Sequence, residues 1–127
     1  MTAPELPTGD LPELRASLAA DAVRTNERIS ALDRDYESIV AGMQLSSTDD
    51  EHDPEGSTTA VDRSRTSALQ DSARRHLAEV HSAEERIASG IYGRCESCGE
   101  PIPRARLLAR PTARTCVACA DGTALAR

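Results

Sequence analysis

Residues 11–43, LPELRASLAADAVRTNERISALDRDYESIVAGM, carry the pattern that decides the architecture. Leu11, Leu14, Leu18, Ala22, Thr25, Ile29, Leu32, Tyr36, Ile39 and Met43 recur at steps of three and four, and only Thr25 among them is polar. Such a repeat lays one apolar stripe along a helix, which is the seam of a coiled coil. Charged residues such as Glu27, Arg28, Asp33, Arg34 and Glu37 fill the positions between, as a solvated face requires.

On the N-terminal side, Met1 to Asp10 contains Pro4, Pro7 and Gly9 and reads as a flexible arm. On the other side the helical pattern breaks over 46–56, an acidic stretch with Pro54 and Gly56 that reads as a turn or tip. A second helical signal begins near Ser57 to Thr59, where Thr59 and Asp62 resemble a capping box. Its stripe is Val61, Leu69, Ala73, Leu77, Val80, Ile87 and Ile91, with Arg65 interrupting. Each helix is then about 33 residues, or about 50 Å at 1.5 Å per residue. Matched helices with a short connection favour an antiparallel hairpin over 11–89 and a monomer; pairing with a second chain is the alternative. Gly90 stops the second helix, and 90–127 form a separate cysteine-bearing segment with a short terminal helix. The expected class is therefore all-α.

Composition agrees. The 127 residues include no Trp or Phe and two Tyr, so a large aromatic core is excluded, while abundant Ala, Leu, Glu and Arg favour helix. The net charge is −6, with acids in excess up to Asp62 and Arg in excess from Arg63 onward, so the two halves should meet different surfaces, or each other. The start of the chain has neither the basic residues nor the apolar run of a signal peptide. No stretch approaches the roughly 20 apolar residues of a membrane span. The expected location is the cytoplasm, where a disulfide framework is disfavoured.

Cys95-Glu96-Ser97-Cys98 and Cys116-Val117-Ala118-Cys119 are separated by seventeen residues, a spacing suited to a structural zinc site. Each Cys-x-x-Cys pair can aim two thiolates at one metal, and four thiolates close a tetrahedron with no position left for substrate. Two disulfides or two redox pairs are the other reading. One structural zinc, held by Cys95, Cys98, Cys116 and Cys119, is the expectation. Ile102, Leu107 and Leu108 are placed to pack beneath it, and Arg104, Arg106, Arg110 and Arg114 are candidate partner contacts for phosphate or an acidic surface. His52, His76 and His81 lack metal spacing and read as surface residues, and no phosphate loop or nucleophile motif is present. No catalytic residues are assigned, and an enzyme is not expected.

Gly90-Ile91-Tyr92-Gly93-Arg94-Cys95-Glu96-Ser97-Cys98-Gly99-Glu100-Pro101-Ile102, then Arg104-Ala105-Arg106-Leu107, then Ala109-Arg110-Pro111-Thr112-Ala113-Arg114-Thr115-Cys116-Val117-Ala118-Cys119, resembles the zinc finger of the DksA/TraR family. The resemblance implies a bacterial transcription regulator that binds RNA polymerase directly, without sequence-specific DNA recognition. It further implies that the coiled coil enters the secondary channel of polymerase and that acidic residues at its tip approach the catalytic centre. The family's Asp-x-x-Asp-x-Ala tip has its nearest counterpart in Asp50-Glu51-His52-Asp53-Pro54-Glu55, which makes Asp50 and Asp53 the regulatory candidates and puts Glu55 where Ala is expected. Two other classes share the finger and hairpin: an interaction module for some other protein, and a nucleic-acid-binding finger using the Arg cluster. The acidic chain disfavours the last of these.

Overall fold

The computed structural model describes residues 9–46 and 54–122. Four helices occur among them: α1 (Leu11–Ser46), α2 (Pro54–Ser89), α3 (Arg104–Ala109) and α4 (Val117–Ala120). The described residues contain no strand, only an isolated antiparallel bridge between Arg94 and Pro101. None of these helices is long and apolar enough to cross a membrane.

The helix ends follow from local chemistry. The carbonyl of Asp10 accepts a hydrogen bond from the Leu14 N–H at 2.9 Å and opens α1. At the other end of the pair, Gly90 has φ 78°, a conformation that costs a residue with Cβ. There the Gly90 N–H reaches the Ile87 carbonyl at 3.2 Å and the Ile91 N–H reaches Arg86 at 3.0 Å, the paired bonds of a Schellman motif. The start of α2 corrects the expectation. It begins at Pro54, ahead of Ser57 to Thr59, because proline in a first turn lacks only an N–H that has no helical partner there. Thr59 therefore lies inside the helix, and the expected tip at 46–56 overlaps both helix ends. Asp50, Asp53 and His52 lie outside the described residues.

The chain divides into two compact units. The first combines α1 up to Ala22 with everything from Ala78 onward. Its core takes Leu14 and Leu18 from α1, Val80, Ala83 and Ile87 from α2, and Tyr92, Cys95, Ile102 and Leu107 from the cysteine-bearing segment. The second unit spans Val23–Leu77. Its buried residues are Thr25, Gln70 and Ala73, flanked by half-buried Ile29, Leu32, Tyr36, Ile39 and Met43. Residue numbers rise along α1 from the first unit to the second and fall along α2, so the helices run antiparallel.

All ten positions of the α1 stripe are buried or half-buried. The α2 stripe is not as expected, because Val61, Leu69 and Ile91 are 56%, 38% and 57% exposed. The inward positions are Thr66, Gln70, Ala73, Leu77, Val80 and Ile87. Steps of four overshoot a turn by about 40°, so the run from Ala73 back through Leu69 and Arg65 to Val61 drifts about 120° off the seam. Thr66 and Gln70 keep the alternation of three and four, and being polar they conceal it. Ile91 lies beyond the Gly90 break and leaves the helix altogether.

Candidate metal centre

The first cysteine pair sits on a short antiparallel turn. The Cys95 N–H donates to the Glu100 carbonyl at 2.8 Å, and the Ile102 N–H to Gly93 at 2.7 Å. The Gly99 N–H closes the knuckle onto the Cys95 carbonyl at 3.0 Å, with φ 77° at Gly99. The second pair frames α4, where the Ala120 N–H donates to the Cys116 carbonyl at 2.9 Å. The Glu96 N–H donates to the Arg114 carbonyl at 2.9 Å and ties the first knuckle to the approach of the second.

These turns bring all four Sγ atoms within 4.8 Å of one another, with Cys98 and Cys116 3.9 Å apart. A tetrahedron with zinc–sulfur bonds of about 2.3 Å has edges of about 3.8 Å, so the set fits one zinc ion. None of the four is in a disulfide. Cys95 belongs to the core at 2% exposure, Cys116 and Cys119 are half-buried, and Cys98 is exposed. Burial pushes the Cys95 thiol up, but hydrogen bonds from the backbone of Cys116, Cys98 and Ser97 outweigh it and bring it to about 6. Cys119 is pushed up to about 12, first by its hydrogen bond with the Cys116 thiol. A second and third thiolate are thus disfavoured beside the first, and a divalent ion removes that penalty. The bound metal would join two distant knuckles, holding structure with no open coordination site.

The surrounding side chains hold the centre to α1 and α2. Tyr92, fully buried, donates its hydroxyl to the Pro111 carbonyl at 2.8 Å, and burial raises its pKa. Arg86 on α2 is also buried, with its guanidinium 5.9 Å from the Tyr92 ring centre; burial, then the Arg114 charge, lowers its pKa. Ile102 and Leu107 are buried as expected, whereas Leu108, expected beside them, is 37% exposed because the next position of α3 turns outward.

Three of the four candidate arginines have partners within the chain. Arg104 grips the Asp10 carboxylate with Nε at 2.5 Å and Nη2 at 3.0 Å, which lowers the Asp10 pKa. Asp10, expected at the end of a flexible arm, is therefore anchored by this two-pronged contact. Arg106 donates Nε to the Thr115 carbonyl at 2.8 Å, and Arg114 bonds Glu96 at 3.2 Å and Ser82 at 2.7 Å. Arg110 is exposed. His81 is exposed beside Glu84, and His76 is half-buried on α2. Arg86 is a position that the sequence did not single out, and Tyr92 stood there only as part of the stretch that resembles the zinc finger.

Fold and site together define an antiparallel helical hairpin joined to a four-cysteine zinc finger. Residues 90–123 match the family described as the prokaryotic dksA/traR C4-type zinc finger. An uncharacterised protein of Aquifex aeolicus is 51% identical over 45 residues, which are 35% of this chain and 31% of that protein. The RNA polymerase-binding transcription factor DksA of Caulobacter vibrioides is 41% identical over 56 residues, 44% of this chain and 39% of that protein. General stress protein 16O of Bacillus subtilis is 36% identical over 74 residues, 58% and 45% of the two chains. The matched stretch thus spans less than half the length of each of these relatives. The structure of transcription factor DksA2 from Pseudomonas aeruginosa shares the fold, with a TM-score of 0.75, 23% identity and coverage of 97% of this chain and 89% of that one.

Proposed function

We propose that this chain is a bacterial transcription regulator that binds RNA polymerase directly and reads no DNA sequence. The observation that carries the reading is a DksA/TraR finger built into one core with the base of a helical hairpin whose fold matches DksA2. The hairpin enters the secondary channel, and Asp50 and Asp53 act at its tip by charge or by metal coordination. The protein works as a cytoplasmic monomer and by contact; its closed four-thiolate centre offers no site for a reaction.

The zinc-finger side supplies the outer contact. An open depression of about 310 Å³ there is lined by Arg106, Arg110, Arg114, Glu79 and Glu96, so its charge is mixed. With Arg104, Arg106 and Arg114 held internally, Arg110 is the candidate for direct contact with a partner. A mixed surface suits a protein partner better than a phosphate backbone.

The test is retention of the zinc-loaded chain by core polymerase in competition with a known secondary-channel factor. Retention that the competitor abolishes supports the reading, retention without competition removes the proposed site, and no retention removes polymerase as the partner. Asp50→Asn with Asp53→Asn should keep binding and lose the effect on a responsive promoter. An unchanged transcriptional effect overturns the tip assignment.

A further inference from the structure

Five consecutive carbonyls, from Pro111 to Thr115, lead into Cys116, and every one accepts a hydrogen bond. Pro111 is bonded by the Tyr92 hydroxyl, Arg114 by the Glu96 N–H and Thr115 by Arg106. The two in the middle share one donor. Arg86 directs Nη2 to the Thr112 carbonyl at 3.5 Å and Nη1 to the Ala113 carbonyl at 3.4 Å. Its Nε donates back to the Ser82 carbonyl at 3.3 Å on its own helix.

This arrangement is specific to arginine. Thr112 and Ala113 are both buried, so their carbonyls need a partner that water does not readily supply. A planar guanidinium can reach two neighbouring carbonyls with two fixed N–H groups while a third anchors it to α2. Arg86 itself is 8% exposed, which commits its charge to these carbonyl dipoles and to the face of Tyr92. The approach to Cys116 is thereby held from a helix that contributes no metal ligand.

We propose that Arg86 is a positioning residue of the metal centre, acting through the Thr112 and Ala113 carbonyls to set where Cys116 presents its thiol. Zinc affinity is then governed in part from α2. Groups that orient metal ligands from outside typically change affinity by about 10–100-fold when removed. The inference is independent of the polymerase reading, because it concerns only how the finger holds its metal.

The experiment compares full-length wild type with Arg86→Met, which keeps bulk but removes the donors, and Arg86→Lys, which keeps charge but removes the fork. Zinc affinity is read by competition with a chromophoric chelator at a temperature where circular dichroism shows the helices of each variant intact. Both variants should still take up one zinc at saturation but bind it about 10-fold or more weakly. Lysine should not rescue, since one ammonium has no rigid pair of donors for both carbonyls. Arg75→Met, at an exposed position of α2, should bind as wild type. Wild-type affinity in Arg86→Met, full rescue by lysine, or equal weakening by Arg75→Met would each overturn the proposal. If Arg86→Met fails to fold, Arg86→Lys decides alone: weaker zinc binding with intact helices supports the role, and wild-type affinity overturns it.

Discussion

Between Val23 and Leu77 the two helices meet through Thr25, Gln70 and Ala73, whereas around the finger they meet through Leu14, Leu18, Val80, Ala83 and Ile87. In the first case the apolar residues of α1 are only half-covered, and Asp33 accepts hydrogen bonds from Gln70 at 2.7 Å and Arg74 at 2.8 Å. In the second, Tyr92, Ile102 and Leu107 add a third side to the helix pair and complete its burial. Two helices alone cannot enclose a seam on every side. The finger supplies what the pair lacks, and the metal supplies what so small a finger lacks. Where no third element is present, polar contacts such as those at Asp33 favour one register.

The sharpest way to break this contrast is to remove the metal. Cys95→Ser or Cys116→Ser should abolish zinc uptake and unfold the segment from Gly93 to Ala120 while the second unit stays helical. Elemental analysis should read one zinc per wild-type chain, and proteolysis with circular dichroism should locate the loss. A uniform collapse of both units would refute their separation. Next in size, Leu18→Ala should cost about 3–5 kcal/mol in urea titrations at saturating zinc, and half-covered Leu32→Ala or Leu77→Ala roughly half as much. Equal losses would erase the difference in burial.

Smaller still is the Asp10 effect. Arg104 lowers the Asp10 pKa below 3.8, so the ion pair adds stability above that pH and loses it as pH falls through the depressed folded-state value. Asp10→Asn should therefore melt slightly below wild type at neutral pH and in low salt, with the gap closing in acid. A gap that persists at the lowest pH would assign the effect to something other than the carboxylate charge. Smallest of all, Val61→Ser should change stability by under about 0.5 kcal/mol, because the side chain is mostly exposed. A loss of core size would restore Val61 to the seam.

The sequence made α1 legible because every position of its stripe but Thr25 is apolar and all ten are buried or half-buried. It obscured α2 because Thr66 and Gln70 point inward while Val61 and Leu69 point out, so hydrophobicity selected the wrong face for two turns. The four ligands were legible because thiols at that spacing have few other uses, and their convergence agrees. Arg86 was not, since nothing in composition separates it from the other arginines. Its one mark was its place beside Ile87, one turn before Gly90. Asp10 looked like the end of an arm because its partner Arg104 lies 94 positions away, beyond the reach of any local pattern.

That separation also bears on the order of events during synthesis. A chain growing at roughly 5–20 residues per second places about 5 to 20 seconds between Asp10 and Arg104. All of Val23 to Leu77 emerges within that interval, so the second unit has its full complement of residues while Leu14 and Leu18 still lack most of their cover. The start of α1 must wait for the far end of the chain, and for a metal ion, before its apolar face closes. Nascent chains short of Cys116 should therefore be the ones that chaperones engage, with release following once the second cysteine pair clears the exit tunnel and zinc is at hand.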